Sequence, residues 1–421
     1  MAPFEAAIHM TKTNRPLFYG WIVAAACSFA VSALGFVFSF GVFYKPLMNQ
    51  FGWKAADVAL APSIFGFVYI AAVFPVSWAY QRYSIKPITL LGGLLMGAGL
   101  ALSSLTTSLW QLYLFYGVLV GIGSSTIWVP FTSTIMKWFS RRRGVAMAIA
   151  LSGQGLGSVV IAPSLSYVIL TSGWRTAFLL AGASTFLIIS SSALLTKGSP
   201  GEMGLRPYGQ NQDNEHWSVE HRNKIAAGDY SIREALHMKP FWLLYSLWFF
   251  SHIVATTYTQ HIVLFAIGIG IPLISASLVL GTIGLTSVAG NLTVGFLQDR
   301  IGLRRALVFC YSLTLASAVV LLSTRSMMWL FLFAAAYGFS FGGRTTLEVP
   351  LASSFFGLAN LGTVVGALET AFGVGGFIGP YLAGRVYDIT GRYSEVLLYC
   401  AVLSTLTLAI ATAIKPSTTH S

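Results

Sequence analysis

Twelve stretches of this chain are long and apolar enough to cross a lipid bilayer, and one long polar interruption, Lys197 to Lys239, falls between the sixth and the seventh. The spans read as 18–44, 56–80, 87–106, 109–136, 144–171, 175–196, 241–267, 273–297, 304–324, 329–354, 361–386 and 393–414. A hydrocarbon core of about 30 Å takes roughly 20 apolar residues of helix. Lipid offers no partner to open backbone, so each stretch must close its own hydrogen bonds as a helix. The expected fold is an all-α membrane protein of twelve transmembrane helices in two pseudo-symmetric six-helix bundles. Residues 1–196 form the first bundle, 197–240 a cytoplasmic central loop and 241–421 the second. With 55% hydrophobic and 9% charged residues, the composition excludes an ordinary soluble globular protein.

The formal charge of +12 would suit a nucleic-acid partner, but its distribution argues otherwise. With the amino terminus placed in the cytoplasm, the inner segments hold eighteen Lys and Arg residues, from Lys12 and Arg15 to Lys415. The outer segments hold six: Lys45, Lys54, Arg175, Arg325, Arg385 and Arg392. That is the positive-inside bias that sets topology, so orientation explains the charge and both termini are expected inside. The polar start, Met1 to Pro16, has no small-residue cleavage site after a short apolar core, so no removable signal peptide is expected. Cys27, Cys310 and Cys400 lie within spans at unrelated positions and read as packing residues.

The segment after the eighth span, Gly295 to Arg305, has the pattern G-x3-D-R-x-G-x-R-R, built from Gly295, Asp299, Arg300, Gly302, Arg304 and Arg305. The segment after the second span carries a degraded copy: setting Arg82 against Arg300 pairs Ser77, Gln81, Ser84 and Lys86 with Gly295, Asp299, Gly302 and Arg304. One pattern in the same loop of each half indicates internal duplication. The glycines permit a tight turn against a neighbouring helix, and Asp299 can cap the next helix. Two such halves joined by a cytoplasmic loop is the layout of a secondary transporter built from repeats.

This loop resembles the signature loop of the major facilitator superfamily, and with the 6+6 split the resemblance covers nearly the whole chain. Four further runs are similar to the branch containing monocarboxylate transporters and oxalate:formate antiporters. They are Phe18-Tyr19-Gly20-Trp21; Trp138 to Ala146 leading into Ser152 to Gly157; Gly173 to Phe178; and Pro200 to Gly209. The resemblance implies carriage of small organic anions, with a proton or in exchange. It also implies that the first, fourth, seventh and tenth helices line a central cavity.

Charged groups inside a membrane helix are costly, so the few present are informative. Arg344 in the tenth span lies near the midplane, and Glu348 follows four residues later on the same face. Glu369 in the eleventh span sits at a similar depth. Arg344 reads either as an anchor for a substrate carboxylate, since a guanidinium matches a planar anion, or as part of an ion network with Glu348 and Glu369. The preceding Gly342-Gly343 would let a ligand or a neighbour approach. The branch commonly has a basic residue in the eighth span, and dicarboxylate exchangers a lysine in the eleventh. This chain has neither, and a single buried cation argues for a monoanion. Glu369 or Glu348 could carry a proton by loading from one side and releasing on the other.

The seventh span supplies His252 near mid-membrane and His261 nearer the outer face, with Tyr258 and Gln260 beside them. Histidine is a natural proton relay at neutral pH, although one on a helix is as readily a packing residue. Tyr116 and Trp128 in the fourth span are the aromatic candidates for holding a substrate body; core packing is the plainer reading. No second ligand stands at metal spacing beside His252, so no metal site is expected. Gly153-x-Gly155-x-Gly157 lies inside an apolar helix without a preceding strand, which favours close helix packing over a phosphate loop.

These features lead to a secondary active transporter of a small organic anion, a monocarboxylate, working by alternating access through proton symport or anion exchange. The expected partners are that anion, a proton or counter-anion and the lipid bilayer, with no cofactor and no nucleic acid. The expected setting is a monomeric unit in the cell (plasma or inner) membrane. The competing readings are an effluxer of a drug or other metabolite with the same fold, and a transport-like sensor. No nucleophile stands with a base, so an enzyme is not expected.

Overall fold

The computed structural model describes residues 18–209, 230–324, 326–357 and 360–414. The polar start, the middle of the central connection with Arg222 and Lys224, and Arg325 and Lys415 lie outside the described residues, as does the side chain of Asp299.

Every span forms a helix. In chain order α1 is Tyr19–Phe51, α2 Ala55–Arg82, α3 Ile85–Ser103, α4 Leu109–Trp138, α5 143–172, α6 174–195, α7 Lys239–Gly268, α8 Leu273–Ile301, α9 Leu303–Leu322, α10 Met327–Phe356, α11 Leu361–Thr390 and α12 Ser394–Ala413. The α5–α6 junction is Gly173, whose φ of 86° breaks the helix. Length and hydropathy alone pick out nine membrane-crossing runs among the described residues, one of which covers both α5 and α6. The two helices that fall short are α7 and α10, which carry His252, Gln260, His261, Arg344 and Glu348. Of the charged and histidine candidates within the spans, only Glu369 lies on a helix that passes, α11.

The first span runs further than expected, to Phe51 rather than residue 44, and it is not one continuous α-helix. It comprises α-helical Tyr19–Ser32 and Leu34–Phe38, a 3-10 turn at Phe40–Phe43 and α-helical Tyr44–Phe51. At the same depth α4 is under-wound into a π-helix at Tyr113–Val120. Tyr116 joins the irregularities by donating its hydroxyl to the Val37 carbonyl at 3.2 Å. A polar backbone group inside a membrane protein needs such an internal partner.

Helix pairing follows a two-fold rule in which helix n maps onto n+6. The α1–α5 contact has its counterpart in α7–α11, α2–α4 in α8–α10, and α3–α6 in α9–α12. Between the halves, α2 packs on α11 and α5 on α8, which are images of one another. Glycine permits these approaches. Gly153 and Gly157 abut the Ser28 and Ser32 carbonyls of α1, while Gly155, on the other side of α5, abuts Gly284 of α8. The glycine run is therefore a two-sided packing surface.

We call the end of the bundle holding Phe18 and Ile414 the terminal end, and its opposite the far end. One apolar core fills the first half from Trp138 and Phe139 at the terminal end to Tyr44, and at the far end it continues into the second half through Val254–Ala266 of α7 and Tyr393–Cys400 of α12. At the terminal end the second half has a separate core, including Leu244, Val294, Leu307, Leu351 and Leu368. The Asp388 carboxylate of α11 fastens the far end by accepting from the Ala55 and Ala56 N–H groups, each at 2.9 Å. On α11 near the terminal end, a methyl group added at Gly362 or Gly366 would meet nothing within 4 Å. The halves are joined at the far end and at mid-depth, where Gly66 approaches Gly376 and Gly155 approaches Gly284.

Three of the four branch-like runs meet at the terminal end. Phe18 and Trp21 pack edge-on against Phe139, with ring centroids 6.1 and 4.8 Å away, and Tyr208 joins the same cluster through tilted and edge-on contacts. Tyr208 donates its N–H to the Trp138 carbonyl and accepts from Ser140 and Arg141. In the signature loop, Gly302 turns the chain with φ 86°, a conformation that L side chains rarely adopt. Gly295 faces Thr346 of α10.

Candidate functional site

Arg344 lies 12 residues from the terminal end of α10, or about 18 Å along the helix. Its surroundings come from three helices: α10 supplies Tyr337 and Phe341, α9 supplies Tyr311, and α7 supplies Tyr258 and His252. Arg344 as a whole is 4% exposed. Nη2 donates to the Tyr337 hydroxyl at 3.2 Å, whereas Nη1 has no hydrogen-bond partner. The rings of Phe341, Tyr337 and Tyr311 stand 5.2, 5.7 and 5.9 Å from the guanidinium carbon. Rings at that distance offer weak cation–π attraction.

Among the described residues Arg344 forms no ion pair. Glu348 is close enough to act on it electrostatically but stays beyond ion-pair distance, and no acidic partner locks the guanidinium. The ion network among Arg344, Glu348 and Glu369, left open by the sequence, does not form here. Burying a charge without a counter-ion is costly, and the aromatic enclosure and one neutral hydroxyl compensate only in part. Gly342-Gly343 admit neighbouring helices, not a ligand: Gly342 faces the Ser287 backbone, and Gly343 faces Val294 and Cys310.

Glu348 and Glu369 lie at matching depths, about 12 Å from the terminal ends of α10 and α11. They interact electrostatically, and neither has a hydrogen bond or ion pair among the described residues. Each keeps a partly accessible surface while protein atoms surround it, as expected of side chains lining the space between the halves. Tyr69 of α2 faces Glu369 from the other half and packs against Phe372, centroids 6.2 Å apart.

His252 is buried beside this group. Its Nδ1 donates to the Trp248 carbonyl at 2.8 Å, which leaves Nε2 free, and its ring meets Phe372 edge-on at 4.5 Å. His261 is spent on structure, bonded through Nδ1 to the Tyr393 hydroxyl and through Nε2 to the Pro380 carbonyl. Tyr258 stands edge-on to Tyr337 at 5.0 Å, and its buried hydroxyl has no partner. The structure therefore brings Arg344, His252, Tyr258, Glu348 and Glu369 together.

The two candidates from α4 lie elsewhere. Tyr116 is fully buried, with its ring 4.2 Å from that of Phe40 and its hydroxyl committed to Val37. Trp128 is half-buried at the edge of the core. Sequence reasoning missed the aromatic enclosure. Tyr337, seven residues before Arg344, shares its face by helical period and was within reach of that reasoning. Tyr311 comes from another helix, and nothing in the sequence pairs the two.

A sequence model of the family described as Major Facilitator Superfamily matches residues 20–380 and, again, 269–420. Monocarboxylate transporter 11 of Mus musculus is 31% identical, covering 91% of this chain and 84% of its own length. Monocarboxylate transporter 12 of Homo sapiens is 26% identical, covering 94% and 81%. A bacterial homologue of the human lysosomal transporter Spinster, solved in an inward-facing and occupied conformation, superposes with a TM-score of 0.66. It is 16% identical and covers 93% of this chain and 94% of its own, a likeness of fold.

Proposed function

The chain belongs to the major facilitator superfamily, in its monocarboxylate transporter branch, and from that premise we propose that it carries a small organic monoanion. That it is a multi-pass membrane transporter and not an enzyme follows from its relatives. One observation carries the cargo assignment: Arg344 is buried at mid-membrane without an acidic partner, and its Nη1 is unsatisfied. A carboxylate is the natural counter-ion, since it takes two parallel N–H donors. The guanidinium is enclosed in this conformation, so the anion reaches it when the Tyr337 and Phe341 rings swing aside. A second carboxylate would face Glu348 and Glu369, which favours a monoanion. His252 and Tyr258 offer further polar contact, while Tyr116 and Trp128 serve mainly to shape the first half.

Proton symport is the coupling we favour over anion exchange. Two carboxylates in electrostatic contact repel when both are ionised, and a proton on Glu369 relieves that repulsion next to the bundle interface. Glu348 and His252 extend the path towards Arg344. Alternating access is the rocking of residues 1–196 against 241–421, linked by 197–240, with the signature loop from Gly295 to Arg305 at the moving interface. The separate cores at the terminal end support an opening on that side. The basic bias of the loops there supports cytoplasmic termini in a plasma or inner membrane. One chain holds the whole residue group, which supports a monomeric unit.

The test is a thermal-shift screen of purified protein against mono- and dicarboxylates at two pH values, because a ligand that binds the folded state raises its stability. Stabilisation by a monocarboxylate, larger at the lower pH, is expected. A panel without effect, or one in which only cations stabilise, contradicts the proposal.

A further inference from the structure

A second basic site lies apart from Arg344, where the signature loop leads into α9 of the second half. At the terminal end, α9 and α12 leave an open groove of about 440 Å³ lined by Arg304, Arg305, Val308, Phe309 and Thr412. Arg304 is anchored there, its Nη2 donating to the Thr412 carbonyl at 2.8 Å near the end of α12. Arg305 is exposed and has no hydrogen bond or ion pair among the described residues. One turn deeper, Phe309 leaves 44% of its surface exposed. The same face of α9 stays exposed through Ser312, Ala316 and Val319, all within about 20–40° of the Arg305 direction at 100° per residue.

The groove is thus cationic at its mouth and apolar below, and no acidic residue among the described ones lines it. We propose that it holds an anionic phospholipid, with the phosphate between the Arg304 and Arg305 guanidinia and an acyl chain along Phe309 and the α9 face. Position supports this occupant over a soluble phosphate. The arginines sit at the first turn of a membrane helix, at headgroup level, and the apolar wall descends in the direction the lipid tail must take. Basic pockets between membrane helices recognise anionic headgroups by this chemistry, at about 1 kcal/mol per arginine near the surface. Arg304 already satisfies part of its donor set within the protein, whereas Arg305 is wholly available.

The test uses the full-length protein in phosphatidylcholine nanodiscs with and without phosphatidylglycerol, reading bound lipid by native mass spectrometry and unfolding temperature in parallel. Phosphatidylglycerol is expected to be retained and to raise the unfolding temperature. Arg305→Gln should weaken retention about fivefold, the equivalent of about 1 kcal/mol, and Arg305→Lys should restore most of it. Because Arg304 also holds α12, Arg304→Gln is read only where its unfolding temperature in plain phosphatidylcholine matches that of the parent. Unchanged phosphatidylglycerol retention in Arg305→Gln would overturn the proposal. So would inorganic phosphate at millimolar concentration displacing the lipid or stabilising equally well, which would make this a soluble-anion site.

Discussion

The Asp388 carboxylate accepts a hydrogen bond from the Ala55 backbone N–H at 2.9 Å, so that a residue near the far end of α11 caps the first turn of α2 in the other half. Its second oxygen takes the Ala56 N–H, and Gly384 leaves no room for a side chain against Ala55 and Ala56. A helix N-terminus favours an acceptor and a negative charge. The contact crosses the interface that must part when the far end opens.

Asp388→Ala should therefore shift the equilibrium towards the far-end-open state. Loss of a cap costs about 0.5–2 kcal/mol, so the closed-to-open ratio should fall roughly two- to thirtyfold. Double electron–electron resonance between spin labels at Trp53 and Arg392 reads this as a growing long-distance population. An unchanged distance distribution would show that the cap does not hold the closed state.

Gly342→Ala tests the close approach of α10 to α8. The added methyl meets the Ser287 backbone, which cannot yield as a side-chain tip would. A loss of about 1–3 kcal/mol is expected, visible as a lower unfolding temperature. Gly366→Ala, where the new methyl meets nothing within 4 Å, should leave that temperature unchanged or slightly higher.

Tyr337→Phe removes the one side-chain hydrogen bond that Arg344 makes among the described residues while keeping the ring. Hydrogen bonds to charged groups contribute about 1.5–3 kcal/mol, so the unliganded protein should lose roughly that much. The stabilisation produced by a bound carboxylate should grow, because the anion then satisfies a guanidinium with more to gain. A carboxylate-induced shift equal to or smaller than the parent's would contradict the link between Tyr337 and the anion site.

Glu369→Gln separates coupling from carriage. In the parent, uptake into proteoliposomes should rise as the external pH falls, since the proton enters with the anion. The variant should lose accumulation driven by a pH gradient and retain exchange of labelled for unlabelled anion. Parent-like gradient-driven accumulation in the variant would remove Glu369 from the coupling path.

The membrane helices were legible because bilayer thickness and backbone chemistry leave apolar length one interpretation. The first span was ended at residue 44 with Lys45 counted as an outer charge, yet the helix runs on to Phe51. Its break at Ser39 was invisible, because the Val37 carbonyl is satisfied by Tyr116, a residue 79 positions away. Arg344, Glu348 and Glu369 stood out by the cost of placing charge in lipid. Whether Arg344 was paired depended on distances that helical period does not encode: Glu348 shares its face and still makes no ion pair. Asp388 read as an ordinary charge near a helix end, since its partners are backbone groups more than 330 residues earlier.

The central claim is that Arg344 awaits a carboxylate, and anion counterflow in proteoliposomes made with the parent, Arg344→Lys and Arg344→Gln tests it most directly. Arg344→Gln should abolish counterflow while matching the parent in monodispersity and unfolding temperature. Arg344→Lys should keep a small fraction of it, because a lysine retains the charge but not the paired donors. Counterflow at the parent's rate in a well-folded Arg344→Gln protein would contradict the account.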